Sequence, residues 1–257
     1  MAEQLAISNA EDATKAEQLA VPDAAIRYIL FQRTAYLRFP ITPLYRWLQR
    51  FLPARFPLPI YNLVVAVESR LGRARTKALY QADMQREYTT LRWALPPRCG
   101  TVLDIGCGVA GIDALIQRHY AGQPIDFVLL DKTAVDRSVY YLFNPRASFY
   151  NSLDVAADLL AQNGIPRERI HLLEADERGT LALDRPVDLV ISLLSWGFHY
   201  PVATYLARVR ELLRPGGVLI LDLRRNTDGL DQLRQSFARI DVLEETPKYL
   251  RVRASDA

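Results

Sequence analysis

TVLDIGCGVAGID, residues Thr101–Asp113, decides how the rest of the chain is read. Thr101, Val102, Leu103 and Ile105 have strand character and enclose one acid, Asp104. Gly106, Gly108 and Gly111 follow, and Leu115, Ile116 and His119 then recur at helical spacing. A strand that runs through a glycine turn into a helix is a nucleotide cradle. Glycine lets the backbone turn sharply and approach a ligand closely. The helix start offers free N–H groups.

Downstream of this stretch, strand and helix alternate, which predicts a parallel sheet with helices on both faces. Strands are expected at 101–105, 126–130, 170–173, 187–193 and 218–223. Helices are expected at 110–119, 151–163 (stopped by Asn163-Gly164), 202–213 (stopped by RPGG) and 227–236. Two last strands, near 238–245 and 249–253, join across Thr246-Pro247 as a terminal hairpin. Upstream, helices are expected at 23–38, 43–52, 61–71 and 76–94, with prolines at 40, 43, 53, 57 and 59 breaking the pattern.

Two nucleotide classes fit the glycine turn. Gly106, Gly108 and Gly111 match G-x-G-x-x-G, and Asp131 follows at dinucleotide spacing. Against a dinucleotide, Asp104 stands two residues before the first glycine, where its charge would repel a pyrophosphate. A carboxylate there suits the ammonium end of a bound amino acid instead. VLDIGCG resembles motif I of the class I S-adenosylmethionine-dependent methyltransferases, and the resemblance extends over roughly residues 100–254. It departs at Ala110, where that family usually has glycine; here glycine comes one residue later, at 111. The terminal hairpin also suits that family, whose members close a parallel sheet in this way.

The resemblance implies an α/β, Rossmann-like seven-stranded class I methyltransferase sheet with S-adenosylmethionine as cofactor. The cofactor would lie along the turn Gly106, Cys107, Gly108 and Gly111, beside Asp104. Ligands of open parallel sheets lie beyond the carboxyl ends of the strands. Asp131 ends the second strand there, and its carboxylate can accept both ribose hydroxyls. Lys132 would line the adenine face or be solvated. Asp176 matches the acid that binds the adenine amino group in the family, with Glu177 as the competing candidate. Ser192 ends the fourth strand at the same edge.

The loop Ser192–Pro201 faces the transferred methyl group in the family. It lacks the Asn/Asp-Pro-Pro-aromatic signature of enzymes that methylate adenine or glutamine nitrogens. It carries His199 among aromatics. An alcohol acceptor must lose a proton, so His199 is the candidate general base; His119 and His171 read as structural. Trp196 and Phe198 would shape an apolar substrate wall. The segment before the 151–163 helix is aromatic (Tyr140, Tyr141, Phe143, Phe149, Tyr150), and Tyr150 and Asn151 are its candidate substrate contacts. With SWGFHYP it resembles bacterial methyltransferases that act on sugar hydroxyls. Asp222 and Asn226 are too few for an oxygen-ligand metal site, so no metal is expected.

Composition is that of a globular chain: 257 residues, 50% hydrophobic and 24% charged. Charge is unevenly placed. Residues 1–20 carry net −3, residues 21–98 net +9, and the remainder net −3. The expected organisation is a flexible tail at 1–20, a helical substrate lid at 21–98 and the cofactor domain at 99–257. Basic, aromatic lid helices also admit an RNA substrate or contact with a lipid surface. Cys99 and Cys107 are not expected to pair, no secretory signal opens the chain and no apolar run spans a membrane, so a cytoplasmic setting is expected. The favoured reaction is methylation of a small-molecule hydroxyl, as in a saccharide or secondary metabolite.

Overall fold

The computed structural model describes residues 18–38, 60–121, 123–135, 150–176 and 178–256. Helix α1 is Ala25–Gln32, with a short 3-10 turn at Thr34–Tyr36 behind it. Helices α2 (Ile60–Leu71) and α3 (Arg73–Leu91) meet at Gly72. Strand β1 (Thr101–Ile105) leads through the glycine turn into α4 (Gly111–His119), and β2 is Asp126–Asp131. A small ribbon pairs β3 (Ala134–Val135) with β4 (Tyr150–Asn151). Then come α5 (Leu153–Gln162), β5 (Ile170–Glu174), β6 (Val187–Ser192), β7 (Ser195–Tyr200) and α6 (Leu206–Leu212). The chain ends with β8 (Leu213–Arg224), α7 (Gly229–Ser236), β9 (Arg239–Glu245) and β10 (Tyr249–Ser255).

Seven strands form the main sheet in the order β5-β2-β1-β6-β8-β10-β9. The first five run parallel, and β10 is inserted antiparallel between β8 and β9. The sequence of strands across the sheet is therefore 3-2-1-4-5-7-6. Order reverses between β1 and β6, which places the crevice beyond the carboxyl ends of β1, β2 and β6. Every strand expected from the alternating pattern is present.

The differences from expectation have local causes. The helix expected at 23–38 stops at Gln32, because Arg33 leaves the helical region (φ −125°, ψ 71°) while its guanidinium reaches Asp83 on α3 at 3.1 Å. The stretch 195–200, expected as loop, is the extended strand β7. The helix expected at 43–52 and the aromatics Tyr140, Tyr141, Phe143 and Phe149 lie outside the described residues.

Side chains alternate across each strand, so parity assigns every site residue to a face. Val102, Phe127, Leu129, Leu189, Ile191, Val218 and Ile220 pack on one face, in a single core with α1, α3, α4 and α5. Leu103, Ile105, Val128, Leu130, Val190, Leu219 and Leu221 pack on the other, with Trp196, Tyr205 and residues of α6 and α7. Asp104, Asp131, Asp222 and Arg251 share parity with the first set. All four therefore point to the side that α3 and α4 cover.

The upstream helices belong to that core. Ala25, Ile26, Ile29, Leu30 and Phe31 of α1 are buried, as are Tyr80, Met84 and Leu91 of α3. Packing has no break at residue 98. The tail expected at 1–20 is also anchored at its end: Leu19 is buried, and the Ala20 amide donates to Asn163 Oδ1 (3.0 Å), whose Nδ2 donates back to the Ala20 carbonyl (2.8 Å). Part of the positive charge here is paired within the chain. Arg33 pairs with Asp83, Arg73 and Lys77 with Asp23, and Arg75 Nη1 donates to the Tyr36 carbonyl. No described helix is long and apolar enough to cross a membrane.

Candidate functional site

The glycine turn settles where each special residue is needed. Gly106 has φ 76°, its amide donates to the Leu130 carbonyl at 2.7 Å, and any Cβ there would fall on Ser195 Oγ. Ala110 takes the left-handed conformation (φ 58°, ψ 31°) that glycine would accept without strain. Gly111 opens α4 with ordinary backbone angles, so its lack of a side chain serves a different purpose. A Cβ there would run into the phenol ring of Tyr80, at 2.7 Å from Cζ, and the Gly111 amide donates to Tyr80 Oη at 3.1 Å. Gly111→Ala is expected to cost about 1–3 kcal/mol through overpacking. In a Tyr80→Ala background the same change becomes neutral or favourable, since alanine is the better helix former by about 1 kcal/mol. Urea titration of the four proteins checks this sign reversal.

Asp131 stands at the carboxyl end of β2 and grips the turn. Its Oδ2 accepts from the Gly108 amide (2.9 Å) and from Asn151 Nδ2 (3.0 Å), and its Oδ1 accepts from the Lys132 amide (2.7 Å). Burial pushes its carboxyl up to about 6 although these three donors work in the opposite direction. Asn151 is 2% exposed, and its Oδ1 is buried with no donor. The structure thus places Asn151 beside the acid at the end of β2, where a sequence reading had set it against the acceptor. Cys107 is buried in the same turn; burial, then Asp131, Asp104 and Asp113, holds its thiol protonated.

Deeper in the same face, Asp104 (3% exposed) meets Asp113 (0% exposed), which α4 presents from its first turn. Neither oxygen of Asp113 meets a hydrogen-bond donor from another residue. Its carboxyl faces that of Asp104, and a proton held between them removes the repulsion of two ionised acids. Burial pushes Asp113 up to about 7, and burial plus Asp113 pushes Asp104 well above the carboxylate range. Asp131 adds to the repulsion felt by Asp104.

The other expected site residues are placed as follows. Ser192 is fully buried; its Oγ donates to the Ile105 carbonyl (2.6 Å) and accepts from the Trp196 amide (3.0 Å), so it braces β6 to β1. Trp196 is not on a substrate wall. Its ring is 0% exposed, edge-on to Tyr205, and its Nε1 donates to the Val202 carbonyl at 2.9 Å. The regular alternation of β7 turns that ring inward, which a loop would not have required. Phe198 and His199 are half-buried and stack edge-on, 4.9 Å between centroids, with the Arg224 guanidinium 5.5 Å over the Phe198 ring. Burial and then Arg224 lower the pKa of His199, which keeps its imidazole neutral. Asp176 is exposed and closes its own loop, accepting from the amides of Arg178 (3.0 Å) and Thr180 (2.8 Å). That is a loop cap, apart from the buried acids. Lys132 is half-buried next to Asp131. Glu177 lies outside the described residues, and Tyr150 is described only as backbone in β4.

Sequence reasoning missed Asp113 and Tyr80. An acid in the first turn of a helix ordinarily reads as a solvated partner of the helix dipole. Tyr80 lies 31 residues before Gly111, and no local pattern links the two. The available signal was the extra glycine at 111, which marks a close approach by something.

The strand order 3-2-1-4-5-7-6 and the glycine turn after β1 define the fold of the class I S-adenosylmethionine-dependent methyltransferases. No protein-family model matches the chain, and no curated protein matches it. Among solved structures it is similar to the precorrin-6y C5,15-methyltransferase of Geobacter metallireducens, with a TM-score of 0.48 and 16% identity over 69% of this chain and 89% of that one. It is similar also to the precorrin 8w decarboxylase of Methanobacterium thermoautotrophicum (TM-score 0.44, 15% identity, 68% and 89% covered). A third is the mitomycin 7-O-methyltransferase MmcR (TM-score 0.45, 14% identity, 70% and 56% covered).

Proposed function

We propose that the protein is an S-adenosylmethionine-dependent methyltransferase acting on the hydroxyl group of a small molecule. The observation that carries this reading is the row of carboxyls beside the glycine turn, Asp104 buried and Asp131 half-buried. Acids in that row favour a ligand with a cationic amino-acid end and a ribose diol, and repel a dinucleotide's pyrophosphate. The residues present fit such a group: Asp131 retains acceptor capacity on Oδ1, and Asn151 Oδ1 is a buried acceptor without a donor.

When bound, the cofactor supplies an electrophilic methyl group on a sulfonium. The chain's task is then to align the acceptor and manage its proton. His199, kept neutral by burial and Arg224, is suited to take a hydroxyl proton. Phe198, with Tyr249 edge-on to it at 6.3 Å, offers an aromatic face beside that base.

Calorimetry with S-adenosylhomocysteine and with NAD tests the cofactor. Heat with the first and none with the second is expected; the reverse overturns the reading. Mass spectrometry of incubations with hydroxylated acceptors then identifies the product. His199→Ala is expected to lower kcat by about 10²–10⁴-fold with S-adenosylhomocysteine affinity unchanged. Turnover that survives the substitution removes His199 as the base.

A further inference from the structure

The mechanism above leaves one buried group unused. Asp113 has no exposed surface and no donor from any other residue on either oxygen, yet it stands next to the acid of the glycine turn. A buried carboxyl without a donor costs stability and calls for a cationic partner. The groups placed against Asp113 are Asp104 from β1, Cys107 from the turn and Tyr80 from α3, while Asp131 from β2 and Tyr200 from β7 face Asp104. Arg33 reaches the outer side of the Tyr80 ring at 5.8 Å and is already paired with Asp83. Tyr80 Oη accepts from the Gly111 amide. No positive charge among these groups answers the two acids.

We propose that Asp113 and Asp104 together seat the cationic amino group of the methyl donor, and that the proton they share beforehand is released to solvent when that cation binds. This rests on the cofactor reading above and adds to it a second carboxylate, from α4, together with a proton count. The balance is simple. One proton leaves the carboxyl pair, one ammonium takes its place, and the ligand's own protons stay where they were. Burial is what keeps the shared proton in place near neutrality without a ligand. Two ionised carboxylates so close need an intervening positive charge. Affinity for an ammonium-bearing ligand then rises with pH through the neutral range and levels off once the pair has ionised unaided.

The experiment compares two probes on the full chain. S-adenosylhomocysteine carries the amino group; 5′-methylthioadenosine has the same nucleoside without it. Calorimetry at pH 6.5 in two buffers of different ionisation heat counts the protons. S-adenosylhomocysteine is expected to release about one proton and to gain about tenfold in affinity per pH unit over the range where the pair titrates. 5′-Methylthioadenosine is expected to release about one proton fewer, only the fraction that Asp131 loses on receiving the ribose. Asp113→Asn should weaken S-adenosylhomocysteine by about 30-fold or more while changing 5′-methylthioadenosine by less than about threefold. Equal proton counts for the two probes overturn the proposal, and so does an unchanged ratio of their affinities in the variant. If Asp113→Asn does not fold, the proton count on the unmodified protein decides alone. If neither probe binds the unmodified protein, the methyltransferase reading itself has failed and takes this proposal with it.

Discussion

Arg251→Met is expected to cost about 3–5 kcal/mol of unfolding free energy, because it strands a buried carboxylate. Arg251 has no exposed side-chain surface, and neither has Asp222. The guanidinium meets Asp222 in fork geometry, Nε to Oδ1 at 2.7 Å and Nη2 to Oδ2 at 2.8 Å. Its Nη1 then reaches across to α3, donating to Thr90 Oγ1 (2.7 Å) and pairing with Glu87 (2.6 Å). One side chain therefore joins β10, β8 and α3. Burial lifts the Asp222 carboxyl above its usual value, with Arg251 as the largest opposing influence. Without Arg251, the Leu194 amide at 3.1 Å remains as its donor.

The double substitution Arg251→Met with Asp222→Leu separates burial cost from lost packing. It is expected to recover more than about half of the loss, since apolar pairs of similar volume often replace buried ion pairs without penalty. Urea titrations with equal slopes would show that stability itself has changed. A loss under about 1 kcal/mol for Arg251→Met would put the pair in the class of solvated surface bridges.

Arg251 also shows where the sequence stops being legible. The strand expected at 249–253 is present, but nothing in LRVRAS tells a buried arginine from an exposed one. Arg251 is buried because α3, more than 150 residues earlier in the chain, covers that face. Trp196 failed for a related reason. Read as loop, it was free to face a substrate; as the second residue of β7 its direction is set by alternation. By contrast, the place of Asp131 was legible, because the strand pattern ends there and sets the acid beside the glycine turn. The sheet was legible because each strand is short, apolar and bounded by turn residues, and Asn163-Gly164 does end its helix, with Gly164 at φ 87°. Asp113 needed β1, α4 and α3 placed together before its burial could be seen, and that is tertiary information.

Asp131→Ala is expected to weaken adenosine and S-adenosylhomocysteine alike by about 10–100-fold, since a ribose hydroxyl donating to the remaining site of an ionised carboxylate is worth about 1.5–3 kcal/mol. The substitution also releases the Gly108 amide and Asn151 Nδ2, so a loss by itself would not distinguish a ribose contact from a loosened turn. The ligand side makes that distinction. 2′,3′-Dideoxyadenosine lacks the diol and should bind the unmodified protein as weakly as adenosine binds the variant. In the variant, the two nucleosides should bind equally. The coupling between the two changes then reports the contact directly. Acidity gives a second check with a definite sign. Burial holds the Asp131 carboxyl at about 6, above its unfolded value, so the charged acceptor is lost as pH falls through that point. Adenosine affinity should therefore be level above about pH 7 and fall by about tenfold per unit below pH 6, while dideoxyadenosine stays level throughout. Parallel pH curves for the two nucleosides would move the ribose away from Asp131.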